Sequence, residues 1–295
     1  MVYWVIIEEF LLSRVGGLKY FYFLLDYTKF FDMKGVCMLS FLENASTHAK
    51  HGSVLNIAHR GSRLRAPENT IAACKLALEE GADGVEVDAR LTKDGFVVLM
   101  HDETLVRTTD GSGSVSEKTL TEVKALDAGS WDDRRSRGER VPTLYGLFSV
   151  LPAGTLINVE LKRGPYDREL VRKVIGIVRI HQAEDRAILS SFDLGILRLV
   201  KQQAPDLFTA LIYPKNPGKR LAVSLVEAAH ANADAAVVEF ENFTARTIGD
   251  FAKKGKEVIS GALNDVLAMR RIIDFGASCI ITDDPLVLAN MLARN

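Results

Sequence analysis

The strongest constraint on the fold is a regular exchange of two hydrophobic periods over the second half of the chain. Short apolar runs at 155–161, 186–190, 207–213, 235–240, 256–263 and 278–282 alternate with amphipathic stretches of helical spacing at 167–182, 194–203, 223–231, 244–254, 265–275 and 286–293. A helix between two strands makes a crossover long enough to set them parallel, so the pattern specifies a parallel sheet covered by helices. The same rhythm opens at strand 54–58, continues through helix 70–80, which stops at Gly81, and reaches strand 84–91. Between that strand and the apolar run 96–101 there is room only for the turn Lys93-Asp94-Gly95, which predicts an antiparallel hairpin arm. If the turn is tight, facing residues sum to about 187 and Glu86 lies opposite His101. With that arm set aside, and a helix at 143–150 before strand 155–161, eight parallel strands remain, as a (β/α)8 TIM barrel requires.

In such barrels the reacting groups sit at the C-terminal ends of the strands. Strand 54–58 delivers His59 and Arg60 to its tip, a proton-transfer group beside a fixed cation, which suits a phosphate ester. Glu86 and Asp88 share one face of the next strand, His101 ends the hairpin arm, and Glu160 and Lys162 end strand 155–161. Three carboxylates from two strands form a hard oxygen donor set suited to Mg²⁺ or Ca²⁺ and poorly suited to zinc. Any one acid could be a strand-end salt bridge; three flanked by two histidines read as a metal-assisted phosphodiesterase. His59 and His101 can then divide proton transfer, while Arg60 clamps the phosphate with Lys162 as a second cation. Glu68 could bind metal or substrate, but the favoured reading is support for Arg60 or a cap at Thr70. Trp131 and Phe192 are candidate apolar walls for the alcohol. His48, His51, His181 and His230 are read as structural.

The motifs His59-Arg60-Gly61, Pro67-Glu68-Asn69-Thr70, Glu86-Val87-Asp88, Lys93-Asp94-Gly95, His101-Asp102, Glu160-Leu161-Lys162 and Ile281-Thr282-Asp283-Asp284-Pro285 resemble, in order, those of the glycerophosphodiester phosphodiesterase family. The resemblance implies a barrel domain over 54–295 that hydrolyses glycerophosphodiesters to glycerol 3-phosphate and an alcohol. It implies attack by the glycerol 2-hydroxyl through a cyclic phosphate, with direct attack by water as the alternative. Segment 103–140, ending near Gly129-Ser130-Trp131, is similar to the family's insertion after the second histidine and is expected to shape the pocket mouth. Where the family commonly carries Trp-Thr-Val-Asn, this chain has Gly261-Ala262-Leu263-Asn264, which implies a wider pocket at that point. Two rival functions are a phospholipase D-type hydrolase of lysophospholipids and a barrel that only binds. The second would be expected to have lost a histidine or a metal ligand, and neither is missing.

At 295 residues the chain holds one barrel and an N-terminal extension, 1–53. A net charge of −1 with no basic block argues against a nucleic-acid partner. Cys37, Cys74 and Cys279 form no C-x-x-C pair, so buried thiols in a reducing cytoplasm are the expectation. Residues 1–42 are rich in aromatics, yet charges such as Glu8, Glu9, Arg14 and Asp26 keep every apolar run short of a membrane span. The acidic opening also argues against a secretory signal. Three readings stay open for the segment: an interfacial helix that brings the enzyme to lipid-derived substrates, a helix that plugs one end of the barrel, or sequence upstream of a start at Met33 or Met38. The sequence leaves homo-oligomerisation open.

Overall fold

Apolar strands that alternate with capped helices close on themselves when the first and last strands pair, and the chain does this over its described residues. These are 54–213, 232–240 and 244–293 of a computed structural model. The extension 1–53 and the helix expected at 223–231 lie outside them. The strands are β1 Leu55–His59, β2 Gly84–Leu91, β3 Val97–Leu99, β4 Leu156–Leu161, β5 Ala187–Ser191, β6 Phe208–Ile212, β7 Ala235–Val238, β8 Glu257–Ser260 and β9 Cys279–Thr282. All neighbours pair in parallel except β2 and β3, and β1 pairs with both β2 and β9, which closes an eight-stranded parallel barrel with β3 as the added arm.

The helices are α1 Ile71–Glu79, α2 Leu120–Ala125, α3 Leu144–Val150, α4 Asp167–Ile180, α5 Leu194–Gln203, α6 Ala245–Ala252, α7 Val266–Asp274 and α8 Pro285–Leu292. Their starts are written in the sequence: Thr70, Thr119, Thr143, Asp193, Asp265 and Asp284 each accept a backbone N–H at the first turn of the helix that follows. One apolar cluster consists of strand residues only, among them Leu55, Ile57, Leu156, Ile188, Phe208, Val237, Ile259 and Ile281, and fills the barrel interior. A second sets Val85, Val87, Val159 and Leu189 against Cys74, Leu147, Val174 and Ile196 of α1, α3, α4 and α5. Strand residues therefore alternate between interior and helix layer, as the pleat demands. Cys74 and Cys279 are free and buried, and burial pushes the Cys74 thiol up to about 12.

The hairpin register differs from the expected one by one residue. Ala89 faces Leu99 and Arg90 faces Val98, so facing numbers sum to 188. The reason is a three-residue loop: Thr92 donates its N–H to the Phe96 carbonyl, and Gly95 takes the left-handed conformation with φ of 78°. The strand also ends at Leu99, so His101 projects from the segment beyond it rather than across from Glu86. Segment 103–140 holds α2 and two short 3-10 turns, Val115–Glu117 and Arg134–Ser136. It has its own apolar cluster, in which Leu105, Val115, Val123 and Ala128 pack on Val98 and Met100 of the arm. Arg135 of the Asp/Arg run is exposed and paired with Asp133.

Candidate active site

The parallel register brings the carboxylates together. Glu86 and Asp88 point to the same side of β2, and β4 sets Glu160 level with Asp88 while β1 sets His59 level with Glu86. Below them Gly84 leaves its interior position to neighbours, since a Cβ there would lie 2.8 Å from Ile57 and 2.6 Å from Leu156. One oxygen from each of Glu86, Asp88 and Glu160 lies within 4.8 Å of the others, and all three residues are buried. Hard, buried oxygen donors converging on one point fit a divalent cation.

The charges of this cluster are unevenly balanced. Lys162 Nζ lies 2.9 Å from Asp88 Oδ1 and 2.6 Å from Glu160 Oε1, and Arg60 Nε lies 3.3 Å from Asp88 Oδ2. Asn69 donates to Asp88 Oδ2 at 2.7 Å and accepts the Asp88 N–H at 3.0 Å. Burial alone would raise Asp88, yet Lys162, Arg60 and His101 hold it far below the usual carboxylate range. Glu86 goes the other way: burial, Asp88 and Glu160 push it well up. Burial raises Glu160 to about 7 against the pull of Lys162. With all three carboxylates ionised, their charge exceeds by one what Lys162 and Arg60 neutralise, so full ionisation of the cluster calls for another cation.

Each histidine is held by an aspartate. His59 Nδ1 lies 2.6 Å from Asp283 Oδ1, and His101 Nδ1 lies 2.7 Å from Asp102 Oδ1. Ionised aspartate can only accept, so each Nδ1 carries the hydrogen, and in the neutral ring Nε2 is left bare. His59 Nε2 is 3.9 Å from Glu86 Oε2. Asp283 is fixed by Asn264, whose Nδ2 donates to Asp283 Oδ2 at 2.7 Å and whose Oδ1 accepts the Asp283 N–H at 2.8 Å. Burial opposes ionisation of Asp283, but the His59 hydrogen bond holds it down at about 2. Burial lowers His101 from its ordinary value, against Asp88 and Asp102.

The turn after β1 is conformationally demanding. Arg60 and Gly61 are both left-handed, with φ of 59° and 81°, and a Cβ at Gly61 would meet the Ala73 backbone at 2.6 Å. The Arg60 N–H donates to the Glu86 carbonyl at 2.8 Å, and its guanidinium donates to Glu68 Oε1 at 2.8 Å. Burial would lower the Arg60 guanidinium; Asp88, Glu68 and Glu86 outweigh it and raise it. Glu68 thus pairs with Arg60 and is not among the three carboxylates whose oxygens converge.

Phe192 is half exposed beyond β5 with Lys162 Nζ 5.9 Å from its ring centroid. Trp131 is turned back on its own loop, Nε1 donating to the Ala128 carbonyl at 2.8 Å. At Gly261 a Cβ would lie 2.6 Å from Ile281 Cβ, so Ile281 fills the space beside this glycine. Sequence reasoning gave no role to Asn69, Asp102 or Asp283, although all three stand inside motifs it quoted. Arg107, which lies between Glu68 and Asp102, carried no signal of its own.

Residues 59–287 match the family model described as the glycerophosphoryl diester phosphodiesterase family. A glycerophosphodiester phosphodiesterase of Caldanaerobacter subterraneus subsp. tengcongensis is 39% identical over 246 residues, 81% of this chain and 98% of that protein. A glycerophosphodiester phosphodiesterase of Bacillus subtilis is 27% identical over 84% of this chain and 92% of its own. Among solved structures, a phosphodiesterase of Oleispira antarctica in complex with the product sn-glycerol-3-phosphate superposes with a TM-score of 0.75 at 28% identity, covering 85% of this chain and 99% of its own.

Proposed function

Because this chain belongs to the glycerophosphoryl diester phosphodiesterase family, an assignment that makes it a phosphodiesterase of glycerophosphodiesters, we propose a chemistry for each residue of its site. Glu86, Asp88 and Glu160 hold a divalent cation, Mg²⁺ or Ca²⁺. When bound, the cation supplies neutralisation of the charge that builds on the phosphate oxygens. Arg60 and Lys162 orient the phosphate from the same end of the barrel. One of His59 and His101 takes the proton of the attacking hydroxyl or water through Nε2. The other enters the cycle protonated on Nε2 as well and gives that proton to the departing alkoxide, which leaves as a neutral alcohol. Attack by water then yields glycerol 3-phosphate directly, whereas attack by the glycerol 2-hydroxyl yields a cyclic phosphate that water opens to glycerol 3-phosphate. Asp283 and Asp102 hold the Nδ1–H of each ring, so that the proton is taken or given at Nε2.

The observation that carries this reading is the convergence of three buried carboxylates with two aspartate-held histidines at the C-terminal rim of one barrel. The product bound to the Oleispira relative supports glycerol 3-phosphate as the released ester. The test is release of glycerol 3-phosphate from glycerophosphocholine by the purified protein, with EDTA and then with Mg²⁺ or Ca²⁺ restored. Chelator-reversible release that falls about 10²-fold or more in His59→Ala and His101→Ala is the expected result. Full activity in EDTA would remove the metal. Variants within a few-fold of wild type would remove the histidines. Release from lysophosphatidylcholine alone would move the protein to the lysophospholipid reading.

A further inference from the structure

Glu68 has an unusual set of partners for a residue outside the carboxylate cluster. It is buried, and three guanidiniums converge on it. Arg60 and Arg107 Nη2 each donate to Oε1 at 2.8 Å, Arg107 Nη1 donates to Oε2 at 3.0 Å, and Arg63 Nη2 lies 3.3 Å from Oε2. Burial opposes the ionised form of Glu68, but Arg107 and Arg60 hold it below its ordinary value.

Two of these arginines lead on to the histidines. Arg107 Nε donates to Asp102 Oδ2 at 2.7 Å and Nη2 to Asp102 Oδ1 at 3.0 Å, the oxygen that also takes His101 Nδ1. Arg63 Nη1 stands 3.5 Å from Asp283 Oδ1, the oxygen that takes His59 Nδ1. The first link is tight and two-pronged on both sides; the second is loose. His101 lies beyond the end of β3 at Leu99; Arg90 Nε and Nη2 donate to its carbonyl at 3.0 and 2.7 Å and hold the backbone, while the ring is held through Asp102.

The donor inventory says what Arg107 is for. A guanidinium has five N–H groups, and four are spent on Glu68 and Asp102. One donor remains, too few for the two-pronged grip by which arginine takes a phosphate. We propose that Arg107 is a positioning residue for His101, acting through Asp102, and that Glu68 is the shared anchor that keeps Arg60 and the His101–Asp102 pair in one register. This deepens the proposed chemistry and rests on His101 being an acid–base group.

The test compares Arg107→Ala, Arg107→Lys, Asp102→Asn and His101→Ala on glycerophosphocholine with the metal present, each checked for wild-type circular dichroism. Arg107→Ala is expected to lower kcat by about 10–100-fold with KM little changed, the usual cost of losing a group that orients a ligand or catalyst. Arg107→Lys is expected to restore only part of that loss, because one ammonium cannot bridge two carboxylates in parallel. Arg107→Ala placed on His101→Ala should add nothing, since both act on the same step. In proton NMR the His101 Nδ1–H should exchange faster with water in Arg107→Ala. A raised KM at unchanged kcat would make Arg107 a direct substrate contact and overturn the inference. So would full activity, or a loss that adds to that of His101→Ala. Should Arg107→Ala fail to fold, Arg107→Lys and Asp102→Asn carry the same kcat and KM comparison. If His101→Ala itself keeps wild-type turnover, the reading of the site fails, and the failure is distinguishable from that of the brace.

Discussion

Replacing Lys162 by methionine tests the electrostatic account of the carboxylate cluster most directly. The side chain is 10% exposed, and its ammonium is shared between Asp88 at 2.9 Å and Glu160 at 2.6 Å. Removing one partner of a buried ion pair costs about 3–5 kcal/mol, because the other charge is left without compensation. Two features place this case near the lower end. Asp88 keeps Arg60 and Asn69, and Glu160, already raised to about 7, can take a proton. A loss of about 3 kcal/mol corresponds, for a barrel of this size, to about 6–12 °C in Tm. The assay is thermal or urea unfolding of the chelated protein near neutral pH. The deficit should be larger near pH 8 than near pH 6, since protonated Glu160 no longer needs the ammonium. A saturating divalent cation should raise the variant's Tm more than the wild type's, because it then supplies the missing positive charge; about 2.7 kcal/mol is gained at 100 times Kd. A deficit under about 1 kcal/mol, the worth of an exposed pair, or one that ignores pH, would refute the reasoning.

Two further outcomes follow from the same geometry. Burial gives Glu160 a folded-state pKa of about 7 against an ordinary 4.5, so between those values the folded metal-free protein holds a proton that the unfolded chain has released. Its contribution to stability therefore falls as pH rises through that window and is level above it, whereas divalent affinity rises. Titration calorimetry with proton release measured in two buffers checks this, and affinity independent of pH between about 5 and 8 would contradict it. Gly61→Ala must place a Cβ 2.6 Å from the Ala73 backbone at a φ of 81°, and is expected to cost about 2–5 kcal/mol in urea unfolding, with turnover reduced because the same turn carries His59 and Arg60. A loss under about 1 kcal/mol would mean that the turn yields without strain.

The parts of this molecule legible in its sequence are those governed by periodicity and local chemistry. Strand and helix positions in the barrel follow from apolar spacing, and helix starts from caps such as Thr70, whose hydroxyl accepts the Ala73 N–H; the short helix behind Thr119, inside segment 103–140, was not read from the sequence. The carboxylate trio was legible because Glu86 and Asp88 share a strand face by a spacing of two. The hairpin register was not, because one left-handed glycine adds a residue to the loop and shifts every facing pair. Arg107 was illegible for another reason. Nothing local marks it, and its role exists only once the turn after β1 and the segment after β3 are folded against each other.

Barrel closure has the same standing for His59. Its ring is held by Asp283, 224 residues later in the chain, and Asp283 takes its position from β9, where Thr282 pairs with Ala58. Asn264, beyond β8, then locks Asp283 from the other side and also takes the Thr282 hydroxyl at 3.1 Å. One catalytic candidate is thus oriented by the last pairing that completes the sheet, and the other by a buried carboxylate at the edge of the site. The three carboxylates themselves are carried by β2 and β4, which are neighbours with six residues in register. The carboxylates proposed to hold the metal thus come from adjacent strands early in the barrel, while the tautomer of His59 depends on the barrel being closed.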